Sequence, residues 1–240
     1  MEQQFLLLFY FLLVMAPPLI LATIFVKLDM FREPLRAVLL TLIISYAATA
    51  MLVEIKYGIL YIPDAWERND LINSLFLIAL PEELTKFFVL YYYCVKLSAF
   101  NEPMDGLVYG SLSGLGFAIY EALGYATLYQ SESSSVVNVV DNILMRGLLA
   151  VPGHAFDGII MGAFIGIMIF RKVNKQLFLI LAILVPTMFH FLWDYSIFTN
   201  YGNFVYLIYF IQLIIVVILF RRFRTYQKSK IIEEELKINK

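Results

Sequence analysis

Seven apolar runs constrain this chain more than any other feature of its sequence. They cover residues 5–26, 37–53, 71–95, 106–129, 136–170, 177–198 and 204–220. A helix that crosses a bilayer needs about 20 predominantly apolar residues. The expected fold is therefore all-α: a polytopic membrane helix bundle. Composition agrees, since 61% of the 240 residues are hydrophobic and 15% are charged. A soluble domain is about 45–50% apolar and about 25% charged. The expected organisation is a transmembrane bundle over 1–220 and a cytoplasmic tail over 221–240, with a basic start and an acidic run at Glu233, Glu234 and Glu235.

Two runs need individual reading. No Lys or Arg precedes the first, and it exceeds the apolar stretch of a removable signal, so it reads as a true span interrupted by Pro17-Pro18. The run over 136–170 is too long for one crossing. Asp141, Asn142 and Arg146 make its first half amphipathic, and Pro152-Gly153 divides it. The expectation is an interfacial or re-entrant helix over 138–151 and a crossing over 154–170, about seven crossings in all.

Basic residues orient the bundle. Lys27, Arg32 and Arg36 follow the first run, Arg171, Lys172 and Lys175 precede the sixth, and Arg221, Arg222 and Arg224 open the tail. With seven crossings all three groups share one side, which the positive-inside rule makes cytoplasmic. The expected localisation is the cell membrane, multi-pass, with the N-terminus outside and the C-terminus inside. A net charge of −1 offers nothing to nucleic acid, and Cys94 stands alone, without a disulfide partner or a paired-cysteine metal site.

Gly106, Gly110 and Gly114 recur every four residues, as do Gly158, Gly162 and Gly166. Four-residue spacing stacks them on one helix face, where small residues let helices approach closely. Packing explains them, and it would draw the fourth and fifth spans together with any polar groups they carry.

Ionisable residues inside spans are costly and point to function. Here they are concentrated in four consecutive spans: Glu82, Glu83 and Lys86; then Glu121; then His154 and Asp157; then His190 and Asp194. Lys86 lies one turn beyond Glu82 and shares a face with Glu83, so it can neutralise one glutamate and leave the other as a base. His190 and Asp194, four apart, share a face, and His154 and Asp157, three apart, repeat the arrangement. Taken singly, each has a structural explanation: a hydrogen-bonded core histidine, a bare salt bridge, an early-turn acid favoured by the helix dipole. As a set, these acids and histidines have too few basic partners to serve structure alone. His-Glu-x-x-His is missing, which excludes the usual intramembrane zinc protease. Ser111-Leu112-Ser113-Gly114 only faintly matches a rhomboid serine site.

These stretches resemble the PrsW family of intramembrane proteases, within the wider superfamily of CAAX prenyl endopeptidases of the Rce1 type. The resemblance rests on Glu33-Pro34-Leu35-Arg36, Glu82-Glu83-x-x-Lys86, Asp105-Gly106-Leu107-Val108-Tyr109-Gly110, Gly114-Leu115-Gly116-Phe117-Ala118-x-x-Glu121, His154-x-x-x-Gly158 and His190-x-x-x-Asp194. Ala122 and Asp194 depart from it, where Asn is frequent. The resemblance implies a membrane-embedded endopeptidase acting on a single-span membrane protein, such as a membrane-bound anti-sigma factor receiving its first cut in stress signalling. CAAX processing and bacteriocin immunity are the other roles it implies.

Two mechanisms fit. In one, a glutamate and a histidine activate water directly and a His-Asp element stabilises the oxyanion. In the other, Glu121, His154 and His190 bind a divalent metal such as zinc. The first is preferred, with no cofactor, because Glu82-Glu83 supplies a base without a metal. The catalytic candidates are Glu82, Glu83, Glu121, His154, His190 and Asp194, supported by Lys86 and Asp157. A proton-coupled transporter is the competing class, because it would use the same acids and histidines. The sequence shows no broken helices paired across two related halves, which many transporters have.

Overall fold

A computed structural model describes residues 2–132, 135–199 and 201–238, with side chains described except at 2–3, 131–132 and 234–238. Ser133 and Ser134 of the polar linker and residues 239–240 of the tail lie outside the described residues. Among these residues the helices join into seven rods: α1 (Glu2–Leu28), α2 (Leu35–Ile59), α3 (70–96), α4 (Pro103–Glu132), α5 (Val136–Phe170), α6 (Lys175–Phe198) and α7 (Asn203–Ile238). A helical turn at Asp64–Glu67 links α2 to α3. Length and apolarity alone qualify α1, α2, α5, α6 and the Asn203–Glu233 part of α7 to cross a membrane. The other two rods, α3 and α4, carry the deep glutamates and three of the stacked glycines. Side-chain caps begin two rods: Asn69 accepts from the Ile72 N–H and Asn174 from the Leu177 N–H.

The prolines do not break the rods. α1 continues through Pro17 and Pro18, and α5 through Pro152-Gly153. The expected division of 136–170 into two helices is thus replaced by one rod of 35 residues. At 1.5 Å per residue it reaches about 52 Å, well beyond a hydrocarbon core of about 30 Å. The reason is a π-helical stretch at Arg146–Ala150, just before Pro152. Proline removes one helical hydrogen bond and crowds the carbonyl four residues back, and a wider turn accommodates both. The same device precedes Pro81, where Asn73–Ala79 is π-helical.

The centre of the bundle is the α4–α5 pair. A Cβ on Gly110 would collide with the Gly158 carbonyl, and one on Gly162 with the Gly106 carbonyl. The two backbones therefore touch along the glycine stripes. α1 and α2 pack on α4, α6 and α7 pack on α5, and α3 fits between α2 and α6. At Gly116 the α2 backbone also comes close, and Ser45 Oγ donates to the Ser113 carbonyl at 2.5 Å.

One end of the bundle gathers the α1–α2 turn, the start of α4 and the extension of α7 beyond Phe220. Gln227 of α7 is buried there and donates to Asp29 and Glu102. Tyr109 donates to Glu33 at 2.5 Å, and Asp105 accepts from the Asn101 and Glu102 N–H groups. Burial raises the carboxyls of Asp29 and Glu33 and pushes Glu102 up to about 7.

Candidate active site

Every deep ionisable residue named from the sequence lies at one place, where α3, α4, α5 and α6 meet. Glycine packing brings His154 on α5 alongside α4, so that its Nε2 lies 2.7 Å from Glu121 Oε2. α3 inserts Lys86 and Glu83, both without exposed surface. Lys86 Nζ donates to Glu83 Oε1 at 2.5 Å and lies 3.0 Å from His154 Nδ1. The same Glu83 oxygen is 2.7 Å from His190 Nδ1. The imidazole rings of His154 and His190 lie 5.3 Å apart, and Phe117 packs against both Lys86 and His154.

The two glutamates of α3 have different situations. Glu83 is held by Lys86 and His190 beneath the site. Glu82 lines a cavity of about 320 Å³, together with Glu121, His154, Asp157, His190 and Asp194. Lys56, Tyr57 and Phe198 also line it, at the ends of α2 and α6 remote from the Asp29–Glu33 turn. On its wall, His190 Nε2 faces Glu82 Oε2 at 3.6 Å and Asp194 Oδ2 at 3.4 Å. Both carboxylate oxygens are buried without a hydrogen-bond partner.

The geometry changes some pairings read from spacing. Asp157 does not meet His154. It accepts from Gln212 Nε2 of α7 at 2.7 Å and faces Glu83 and His190. His190 engages Glu83 through Nδ1, while its Nε2 stands at more than hydrogen-bond distance from Asp194. Ser111 and Ser113 both donate to backbone carbonyls, of Val108 and Lys86.

Two residues of the site were not among the candidates read from the sequence. Arg146, placed there on an interfacial or re-entrant helix, pairs with Glu121 at 2.9 Å, lies 3.6 Å above the Tyr125 ring and keeps a buried Nε without a partner. Gln212 sits in a span without acids, bases or histidines, and attention to amides as well as charges would have found it.

Three donor atoms, one each from Glu82, His154 and His190, lie within 4.8 Å of one another, and so do atoms of Glu83, Asp157 and His190. Two histidines and a carboxylate form a donor set typical of catalytic zinc. The separations from His190 Nε2 to Glu82 and Asp194 exceed hydrogen bonds and match the spacing of about 3.3 Å between two ligands of a tetrahedral zinc ion. The residue types present therefore fit a divalent metal, with Glu82 in the place the sequence reading gave to Glu121, and His154 would have to release Glu121 from its Nε2 to join them, since its Nδ1 faces Lys86.

Fold and site together define a polytopic helical membrane protein with a polar, acid- and histidine-lined cavity inside the bundle. The chain belongs to the PrsW family: the family model described as PrsW family intramembrane metalloprotease matches residues 33–220. Protease PrsW of Bacillus subtilis is 28% identical over 198 residues, covering 80% of this chain and 83% of that protein. Protease PrsW of Halalkalibacterium halodurans is 31% identical over 134 residues, and that of Geobacillus kaustophilus 33% over 117, covering 56% and 49% of this chain. The chain spans about half the length of these last two proteins, 58% and 48%. No solved structure matches the chain.

Proposed function

We propose that this chain is an intramembrane endopeptidase that hydrolyses a peptide bond of a single-span membrane protein at the cavity lined by Glu82, His190 and Asp194. The observation that carries this reading is the convergence of His190 Nε2 with two buried, unpartnered carboxylate oxygens on the cavity wall. Buried polar atoms are ordinarily satisfied, so this trio is arranged for something that enters the cavity.

Glu82, His154 and His190 would hold a divalent metal, in line with the family's description and in place of the metal-free reading preferred from sequence. Such an ion, when bound, polarises a carbonyl and makes water acidic enough to attack near neutral pH. The chain's own residues do the rest. Asp194 Oδ2, free of any donor, takes the proton of the attacking water and returns it to the leaving amine. Arg146, with a free buried Nε, donates to the oxygen of the scissile carbonyl as charge builds on it. Glu121 orients Arg146, and Glu83, fixed by Lys86, orients His190.

Two side grooves support entry of a chain from the bilayer. One, of about 270 Å³, runs from Thr49 and Phe117 to Glu82 and Glu121, and the other, of about 560 Å³, runs from Tyr206 and Met145 to Arg146 and Trp193. Each shares residues with the central cavity. A substrate in lipid contact suits them better than a soluble peptide, and an anti-sigma factor of the single-span type is the role we infer. The orientation that goes with it has the N-terminus outside and the C-terminus in the cytoplasm.

The test is cleavage in cells of a doubly tagged single-span substrate, compared with a protein ending in a prenylated CAAX sequence. Two fragments from the first and none from the second are expected. Processing of the CAAX protein alone would assign the cavity to the other branch of the superfamily.

A further inference from the structure

Two sequence motifs have no part in the proposed reaction: the Glu33-Pro34 turn and the Asp105-Gly106 start of α4. The fold brings them together. Single oxygens of Asp29, Glu33 and Asp105 lie within 4.8 Å of one another, and all three side chains are buried. Asp105 precedes Glu121 on α4 by 16 residues, about 24 Å along the axis, so this cluster is separate from the catalytic cavity. Glu102 joins it through Gln227, which donates to both Glu102 and Asp29.

Hydrogen bonds account for most of the cluster: Tyr109 donates to Glu33, Glu33 and Asp105 are hydrogen-bonded to each other, and Asp105 accepts two backbone N–H groups, which leaves one oxygen of Asp29. Asp29 is 4% exposed, and its Oδ1 accepts from Gln227 and from the Phe31 N–H. Its Oδ2 is buried and has no partner. Among the described residues no Lys, Arg or His forms an ion pair with Asp29, Glu33, Glu102 or Asp105. Buried carboxyls are neutralised, paired or coordinated to a metal, and all-carboxylate oxygen sets select hard cations.

We propose that Asp29, Glu33 and Asp105 bind a hard divalent cation, calcium or magnesium, which ties the α1–α2 turn to the start of α4 and, through Gln227, to α7. Calcium is expected to bind better than magnesium, because it accepts a flexible set of oxygen ligands, whereas magnesium demands near-ideal octahedral geometry and dehydrates reluctantly.

The test uses the purified full chain in neutral detergent, with Tb³⁺ as a luminescent probe for the calcium site. Tyr109, bonded to Glu33, is placed to sensitise the emission. The expected result is saturable emission that Ca²⁺ displaces, with Mg²⁺ weaker. Asp29→Asn should weaken Ca²⁺ competition by about tenfold or more, as a lost ligand charge does, while Glu82→Gln leaves the emission in place. Emission undiminished in Asp29→Asn, or lost only in Glu82→Gln, overturns the proposal. Thermal unfolding of the wild-type protein gives an independent reading if Asp29→Asn does not fold. Ca²⁺ should raise its midpoint in neutral detergent, and an unchanged midpoint counts against the site.

Discussion

Lys86 Nζ holds Glu83 at 2.5 Å and approaches His154 at 3.0 Å with no exposed surface, so removing it strands a buried carboxylate. Breaking one partner of such a pair costs about 3–5 kcal/mol, whereas replacing both by apolar groups is often neutral. Lys86→Met should therefore destabilise the protein by about that amount, and Lys86→Met/Glu83→Leu should recover most of it, measured by unfolding in detergent. A single variant as stable as the wild type would show that the pair is not the site's charge anchor. Arg146→Gln should leave the fold intact and lower the cleavage rate by about 10²–10³, the effect of losing one oxyanion donor, with a smaller change in KM. At this scale the sequence was informative about charges and silent about their partners. That Lys86 spares one glutamate was legible from helical spacing. That Asp157 turns to Gln212 was not, because spacing reports a shared face and not the neighbour across it. Arg146 was passed over as a site residue because a lone arginine in an amphipathic stretch reads as an interfacial one until the opposing acid, 25 positions earlier in the chain, is known.

The glycine stripes of α4 and α5 were legible as a packing seam, because four-residue spacing leaves no other face for them. The close approach they allow also sets the site, since His154 and Glu121 meet only when the backbones touch. Gly110→Leu should therefore abolish activity and lower stability, because its side chain would displace the Gly158 carbonyl. Gly124→Ala is the control: a Cβ there meets nothing within 4 Å. It should retain activity and gain slightly in stability, about 0.5–1 kcal/mol from helix propensity. Equal loss in both variants would mean that the seam is not what the site depends on. Pro152-Gly153 misled for a physical reason. Proline ends most helices, yet a π-helical stretch before it lets α5 continue, and such stretches have no sequence signature comparable to the proline itself.

For the whole molecule, seven apolar runs became seven rods because length and hydropathy are what lipid selects. The basic loops at the ends of α1 and α5 and along α7 gather at one end, where Arg171 stacks on Tyr226 of α7 and Gln227 reaches the α1–α2 turn. A reporter active only in the cytoplasm, fused after Lys240, should work, and one active only outside should fail there. The opposite pattern would invert the bundle. Most direct is the rate at which the purified protein, reconstituted in liposomes, cuts a single-span substrate. Asp194→Asn should slow cleavage by about 10² or more and Glu82→Gln should abolish it, both with unchanged unfolding midpoints. Wild-type cleavage by the Glu82→Gln/Asp194→Asn double variant would contradict the proposed role of the cavity.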